Sequence, residues 1–374
     1  MNTRSEKNPP ANVLVLVNTI SETSIPFELS VEMAAQTDLD IHVASFMDQC
    51  TTDIDIRNDP NELPLTIHTL GATSRFDQKA WSKFRRKLKH GYDLVHTHHN
   101  FSGSVARVLS SIEDVPVINT EHRDHSSLSP LQNAVNAPTL SLADRIISNS
   151  QVTQNSFRWY EQLLIDDYQL EVVYNGINIR KIQNIVSNSN DTNDTFVICT
   201  AARMVPVKNQ SVLIRAFDQV VDQYPNSKLI FLGDGPLKED LKQLTNNLEL
   251  TDNVQFRGEV SRNRVYEVFA KSDVFAISSH SEGFCVAAVE AMASGLPVVA
   301  SDIKIFHEVI NSGGLFADQT NPDKFAQALL KIKQGCDYEE ISTKAKQRAA
   351  KKFSLDKCVK KYYKIYMNVL NKHR

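Results

Sequence analysis

Long apolar runs are missing from this chain of 374 residues. None approaches the roughly 20 consecutive apolar residues that a membrane-spanning helix needs. The start, Met1 to Pro10, is polar and has no apolar core segment, so no signal peptide is expected. Cysteine is sparse, at Cys50, Cys199, Cys285, Cys336 and Cys358. The number is odd, the spacing is wide, and neither a disulfide framework nor metal-ligand spacing is visible, which fits a reducing cytoplasm. A dominant charge is also lacking. Lys and Arg total 41 against 44 Asp and Glu, so the formal net charge is −3 and no nucleic-acid partner is expected for the whole chain. No Gly-x-Gly-x-x-Gly turn follows any strand candidate, which argues against a nicotinamide-dependent dehydrogenase.

The remaining composition is that of a soluble globular protein, 41% hydrophobic and 23% charged. The length suggests two domains. Short apolar runs alternate with helical patterns, from Asn12–Val17 to Glu171–Val173 and again from Val197–Thr200 to Pro297–Ala300. Between the two series the chain turns polar over Ile177–Thr195, where Ser187 to Asp194 reads as a loop. Strand–helix alternation implies parallel sheets covered on both faces. The expected fold class is therefore α/β, with two Rossmann-like doubly wound domains facing a central cleft. Residues 1–178 form the first domain, 179–195 a polar hinge and 196–353 the second domain. A closing helix over 354–374 would cross back to the first domain.

The densest chemistry lies in Ser278 to Asp302. Glu282 falls in a loop after the strand Val274–Ile277, and Glu290 falls in the helix that follows. Gly283 would let the backbone approach a ligand, and the first amides of that helix favour an anion. The segment suits a sugar joined to a nucleotide by a pyrophosphate. Upstream, Arg203 and Lys208 flank one strand-to-helix loop, where two fixed cations can hold a diphosphate. Gly233-Asp234-Gly235-Pro236 ends a strand and opens a helix, with Asp234 expected as a turn or cap residue.

In the first half, Asp93 to Asn100 ends a strand and contains His96, His98 and His99; Asn119 to His125 ends another and contains His122. Histidines at such strand ends would point into the cleft, His96 being expected to pack there with its ring satisfied. The cluster invites a zinc reading, but no carboxylate–histidine pattern of a hydrolytic zinc site accompanies it. The segment Lys79 to Lys89 is basic and free of acids, with Trp81, Phe84 and Leu88 on one helical face. It could lie on an anionic membrane or pack that face on the first sheet.

Together these motifs resemble the retaining glycosyltransferases of family 4, of the two-Rossmann class called GT-B, the glycosyl transferases group 1. The resemblance is closest from Phe196 to Asp302, fair from Asp93 to Asn178 and faint before that. It implies that Arg203 and Lys208 hold the donor diphosphate, with Glu290 on the ribose hydroxyls. Glu282, with the backbone at Gly283 and Phe284, is implied to hold the donor sugar, and the Gly233 turn belongs to the same donor-binding set. A histidine after the second of the two first-half strands reaches the donor sugar in many relatives, which makes His122 the implied catalytic histidine. His98 and Asn100 are implied on the acceptor side. Relatives close the first domain in nearly the words Val172 to Asn178, though an aspartate often stands at Asn178. One departure is clear: where relatives usually carry a glycine pair after the first strand, this chain has Asn18, Thr19 and Ser21. These could replace some of the hydrogen bonds but would restrict the backbone's approach. Either this loop holds the diphosphate differently or the enzyme is altered in donor or activity.

The resemblance implies a cytoplasmic retaining transferase. It would move a sugar from a nucleotide-diphosphate donor to a hydroxyl of a glycan or lipid-linked acceptor, in cell-surface glycan, glycolipid or glycoprotein synthesis. Peripheral binding at the inner face of the membrane would run through the Lys79–Lys89 region. No cofactor is required, and a divalent metal is not expected to be essential; Asp53-Ile54-Asp55 has the letters of a metal motif but precedes the site region. Two rivals remain on the same architecture, a nucleotide-sugar epimerase and a donor-binding protein that has lost catalysis.

Overall fold

A computed structural model describes residues 10–21, 24–49, 64–188, 195–335 and 337–373. Residues 1–9, Glu22, Thr23, Cys50, Asp53-Ile54-Asp55, 189–194 and Cys336 lie outside them. In chain order the elements begin with β1 (Asn12–Val17), α1 (Ile25–Gln36), β2 (Asp40–Ser45), β3 (Thr66–Thr69), α2 (Gln78–Leu88), β4 (Leu94–Thr97) and α3 (Asn100–Ile112). There follow β5 (Val117–Glu121), α4 (Pro130–Asn136), β6 (Arg145–Ser148), α5 (Gln151–Asn155), α6 (Trp159–Gln162) and β7 (Leu170–Val172). The next stretch holds α7 (Ile179–Ser187), β8 (Val197–Ala201), α8 (Gln210–Gln223), β9 (Lys228–Leu232), α9 (Lys238–Asn247), β10 (Val254–Phe256) and α10 (Arg262–Phe269). The chain then runs through β11 (Val274–Ile277), α11 (Val286–Ser294), β12 (Val298–Ser301), α12 (Lys304–Val309), β13 (Gly314–Ala317), α13 (Pro322–Lys333), α14 (Tyr338–Lys352) and α15 (Leu355–His373).

Two compact units result. The first is Met1–Gly176 with Leu355–Arg374, and the second is Ile177–Ser354. The first holds an all-parallel sheet in the order β3-β2-β1-β4-β5-β6-β7. Val13, Val15 and Val17 of β1 face one core with α1 and α15, while Leu14 and Leu16 face another with α2 and α3. Both faces of the strand are thus dry, which is why it reads as an unbroken apolar run. The second unit's sheet, β10-β9-β8-β11-β12-β13, is also parallel throughout.

In each sheet the strand order reverses direction once, between β1 and β4 and between β8 and β11. Ligands of doubly wound sheets sit outside the carboxyl ends of the strands at such a switch point.

Two expectations change. The residues read as the opening of a polar hinge form α7, capped by Asn178, whose side chain accepts from Lys181 N at 3.0 Å. This helix packs on α10 and α11, with Ile182 fully buried, so it belongs to the second unit. Secondly, the apolar face of α2 is consumed by the core. Trp81 is 9% exposed, Phe84 0% and Leu88 3%, so these three cannot enter a membrane. Only the basic side of α2 faces water. No helix among the described residues is long and apolar enough to cross a membrane.

Candidate active site

At the switch point of the second unit, the loops after β8 and β11 are fastened to each other. His280 N donates to Val207 O at 2.8 Å, and Ser278 Oγ donates to Asn209 O at 2.8 Å. Asn209 takes a left-handed conformation, φ 50°, to turn the chain into α8. On this frame Lys208 Nζ forms an ion pair with Glu282 Oε1, which also accepts from Ser279 Oγ at 2.8 Å. The sequence places these two groups in separate motifs; the structure makes them one partly buried cation–carboxylate pair.

Arg203 stands on the same loop with its side chain exposed. Its place is fixed from below. Met204 N donates to Asp234 O at 2.8 Å, and Gln210 Nε2 donates to Arg203 O at 3.0 Å. Gly233 (φ 120°) and Gly235 (φ 157°) lie against this segment so closely that a Cβ at either would overlap the carbonyls of Ala202 or Met204. Only glycine allows both the angle and the approach. Gly233 therefore positions the Arg203 loop through backbone packing. Asp234 accepts from Gly235 N at 2.7 Å and from Lys238 Nζ at 2.6 Å, the turn role expected of it.

Before α11 the backbone takes a left-handed conformation at Cys285, φ 66°. Phe284 is 3% exposed and meets the Phe353 ring edge-on at 5.4 Å, so its side chain anchors the loop. Glu290, in the second turn of α11, is also buried. Its Oε1 accepts from Arg262 Nε at 2.6 Å and from the Tyr266 hydroxyl at 2.8 Å. Sequence reasoning missed Arg262 and Tyr266. They stand on the preceding helix, and no motif links them to the carboxylate.

At the switch point of the first unit, Ser102 Oγ donates to Asn18 Oδ1 at 2.8 Å, tying α3 to the loop after β1. Thr19 is exposed on that loop. His98 is buried; its Nδ1 lies 3.1 Å from His122 Nε2, and its Nε2 has no hydrogen-bond partner. His96 is satisfied on both sides, by the Tyr366 hydroxyl at 2.6 Å and Thr120 Oγ1 at 2.8 Å, and is a packing residue. Asn100 Nδ2 donates to Glu121 Oε2 at 3.1 Å.

Behind these groups lies a buried charged network that the sequence did not announce. Arg107 donates to Asn119 Oδ1 at 2.5 Å and to Asn136 Oδ1 at 2.6 Å. Asn119 and Asn136 in turn donate to Glu121 Oε1, at 2.9 and 3.2 Å. His125 sits between Glu161 (Nδ1 to Oε1, 2.8 Å) and Glu121 (Nε2 to Oε2, 3.6 Å).

These surroundings divide the histidines. Burial lowers His96 to about 3, and it holds His98 well below its ordinary value, with His96 and His122 adding to the effect. Burial alone would also lower His125, but the carboxylates of Glu121 and Glu161 outweigh it and raise it to about 9. The ordinary value in the unfolded chain is 6.5. As pH falls below it, the unfolded chain takes up protons that His96 and His98 refuse, so stability drops. His125 contributes stability fully present below 6.5 and lost as pH rises through about 9. Urea midpoints should therefore peak near neutrality and decline on both sides. The substitution His125→Gln should flatten the alkaline limb, and it should also weaken stability on the acid side, because His125 helps hold Glu121 and Glu161 below their ordinary values. A midpoint flat from acid to alkali would contradict these assignments.

The family model for Glycosyl transferases group 1 matches residues 181–352, and that for Glycosyltransferase Family 4 matches residues 27–181. The chain belongs to the family-4 glycosyltransferases of group 1. An uncharacterised glycosyltransferase of Methanocaldococcus jannaschii is 29% identical over 290 residues, 74% of this chain and 75% of the relative. The alpha-monoglucosyldiacylglycerol synthase of Acholeplasma laidlawii is 25% identical over 322 residues, 79% of each. Among solved structures, Anabaena HepE in complex with UDP and glucose superposes with a TM-score of 0.78 at 20% identity, covering 96% of this chain and 100% of that one. The two parallel units are thus those of a GT-B glycosyltransferase.

Proposed function

We propose that this glycosyltransferase retains anomeric configuration, and that it takes a sugar from a nucleotide-diphosphate donor held at the β8/β11 switch point. The observation that carries this is the Lys208–Glu282 pair beside the exposed Arg203 and the first amides of α11. Cations and amides suit a diphosphate. The carboxylates of Glu282 and Glu290 suit hydroxyls, of sugar and ribose respectively. HepE, bound to UDP, favours a uridine nucleotide as the first to test. The name of the Acholeplasma relative, a glucoside of a diacylglycerol, favours a lipid-linked acceptor over a soluble glycan. His122 is proposed as the catalytic histidine, His98 and Asn100 for the acceptor side, and a cytoplasmic setting fits a nucleotide donor.

In the proposed step the acceptor oxygen bonds to the anomeric carbon on the face from which the phosphate leaves. The carbon–oxygen bond to the diphosphate breaks, and the departing phosphate oxygen takes the acceptor's proton. Arg203 and Lys208 stabilise the charge that develops there, so a divalent metal is not essential. Fixed groups of this kind require no reorganisation during reaction.

Thermal-shift screening against uridine-, guanosine- and adenosine-diphosphate sugars tests the donor assignment. A true donor at 100 times its dissociation constant stabilises by about 2.7 kcal/mol. No shift with any of them would count against the reading. The carboxylates are separated by conservative changes. Glu290→Gln should weaken the bare nucleoside diphosphate and the full donor alike, by about tenfold, the scale of a hydrogen bond to a charged group. Glu282→Gln should weaken the full donor far more than the bare diphosphate. Equal loss of the bare diphosphate in both variants would reverse the assignment.

A further inference from the structure

Three polar side chains meet on the first sheet, away from the loops that carry the candidate site. His42 on β2 and His68 on the neighbouring edge strand β3 point to the same side, because His68 pairs with Ala44, two residues beyond His42. That side is the one covered by α2, since Ala44 shares a core with Phe84 and Leu88. Tyr92, in the turn between α2 and β4, packs against the same core. The strands run parallel, so a residue that precedes β4 lies toward their amino ends, opposite the loops after β1 and β4.

The three side chains converge on one another rather than forming a line. His42 Nδ1 lies 3.0 Å from His68 Nε2 and 2.9 Å from the Tyr92 hydroxyl, and His68 Nε2 lies 3.0 Å from that same hydroxyl. Asp40 Oδ1 stands 3.3 Å from the other ring nitrogen of His42, Nε2. A carboxylate there draws the ring proton to Nε2 and leaves Nδ1 a bare acceptor. Burial, with Lys87 and His42 adding to it, lowers His68 to about 4, so its ring is neutral. Burial and Asp40 push the Tyr92 phenol up to about 12, so alone it keeps its proton. The triangle then holds at most two protons, one on the phenol and one on His68, for three contacts. At least one contact has no proton of its own.

A cation resolves that conflict, because all three atoms can turn a lone pair to it. Zinc lies about 2.0–2.1 Å from a ligating imidazole nitrogen. At that distance from three atoms spaced about 3 Å apart, an ion sits roughly 1 Å out of their plane, and opening each side by about 0.3 Å gives tetrahedral angles. The His42 side chain is 20% exposed, which leaves a path for the ion and for a water in the fourth position. A carboxylate behind a ligating histidine, as Asp40 stands behind His42, is the usual outer partner of such a centre. Among the described residues no group of three His, Cys, Asp or Glu side chains is placed to hold a metal; here the third donor is a phenol oxygen. We propose that His42, His68 and Tyr92 form a site for a divalent cation of the zinc class, and that the ion ties edge strand β3 and the α2–β4 turn to β2. The site is separate from the β8/β11 switch point and takes no part in sugar transfer.

The test uses the full chain without a purification tag, stripped with a chelator and titrated with zinc chloride by calorimetry. Donor and acceptor are left out, so the readout is independent of the transferase reading. One saturable equivalent of zinc is expected, and the melting temperature should climb with zinc concentration as mass action requires. The double change His42→Gln with His68→Gln should abolish that equivalent. Asp40→Asn should weaken it by about 10–100-fold, the scale of losing an outer partner. Tyr92→Phe keeps the ring in its core and guards against a double variant that fails to fold; it too should weaken binding. No zinc uptake by the unaltered chain would overturn the proposal. An equivalent that survives the double change would also overturn it, by placing the ion on another pair such as His98 and His122. So would an affinity unchanged in both Asp40→Asn and Tyr92→Phe.

Discussion

Replacing Lys208 by alanine is expected to lower turnover by about 10²–10³-fold, the usual effect of losing one preorganised group that stabilises developing charge. The melting temperature should barely move. Lys208 is not part of a core, its side chain being 21% exposed. Its partner Glu282 keeps the bond from Ser279 Oγ, and the two loops stay fastened through Ser278 and His280. Steady-state kinetics with the donor found by thermal shift provide the measurement. Near-wild-type turnover would remove the β8 loop from the chemistry.

The second large effect is on stability. Arg107 is fully buried and joins Asn119, Asn136 and Thr139 Oγ1, the last at 2.7 Å. Alanine there would remove one of the two cations beside the buried Glu121, His125 being the other, and leave several acceptors without donors. Removing one partner of a buried charged network costs about 3–5 kcal/mol. Lysine should rescue only in part, because a point charge cannot replace a planar fork of donors. Arg75→Ala, an exposed control, should stay within about 0.5 kcal/mol. Urea unfolding followed by circular dichroism reads all three. An Arg107→Ala loss no larger than the control's would mean that the network is not structural.

Much of this architecture is legible in the sequence because the strands are dry on both faces. Asn12–Val17, Arg145–Ser148 and Lys228–Leu232 are apolar runs with sharp polar ends, and they are strands over those same residues. The failures have physical causes. In α7 the apolar side chains Ile179, Ile182 and Val186 share one side, but the asparagines and serines around them read as loop. In α14 the buried seam is Ile341, Ala345 and Ala349, too small to stand out from the lysines and glutamates beside it. β13 is an edge strand of four residues that opens on Gly314, whose missing side chain admits the carbonyl of Val298.

For the site, the motifs located the loops after β8 and β11 but not their pairing. Lys208 and Glu282 are 74 positions apart, and only the strand order brings them together. Arg262, Tyr266 and the Arg107–Glu121–His125–Glu161 network were invisible for the same reason. Glu290 lies 28 and 24 positions from Arg262 and Tyr266, and Asn136 and Glu161 lie 29 and 36 from Arg107 and His125, separations no local pattern encodes.

The most direct measurement is proton NMR of a single reaction mixture containing the protein, its sugar nucleotide and a lipid-linked acceptor analogue. Acceptor-dependent release of the nucleoside diphosphate is expected, together with a new anomeric signal whose coupling shows the configuration of the donor. An inverted anomeric signal would contradict retention. A new sugar-nucleotide isomer without diphosphate release would make the protein an epimerase, and tight donor binding without turnover would make it a binding protein.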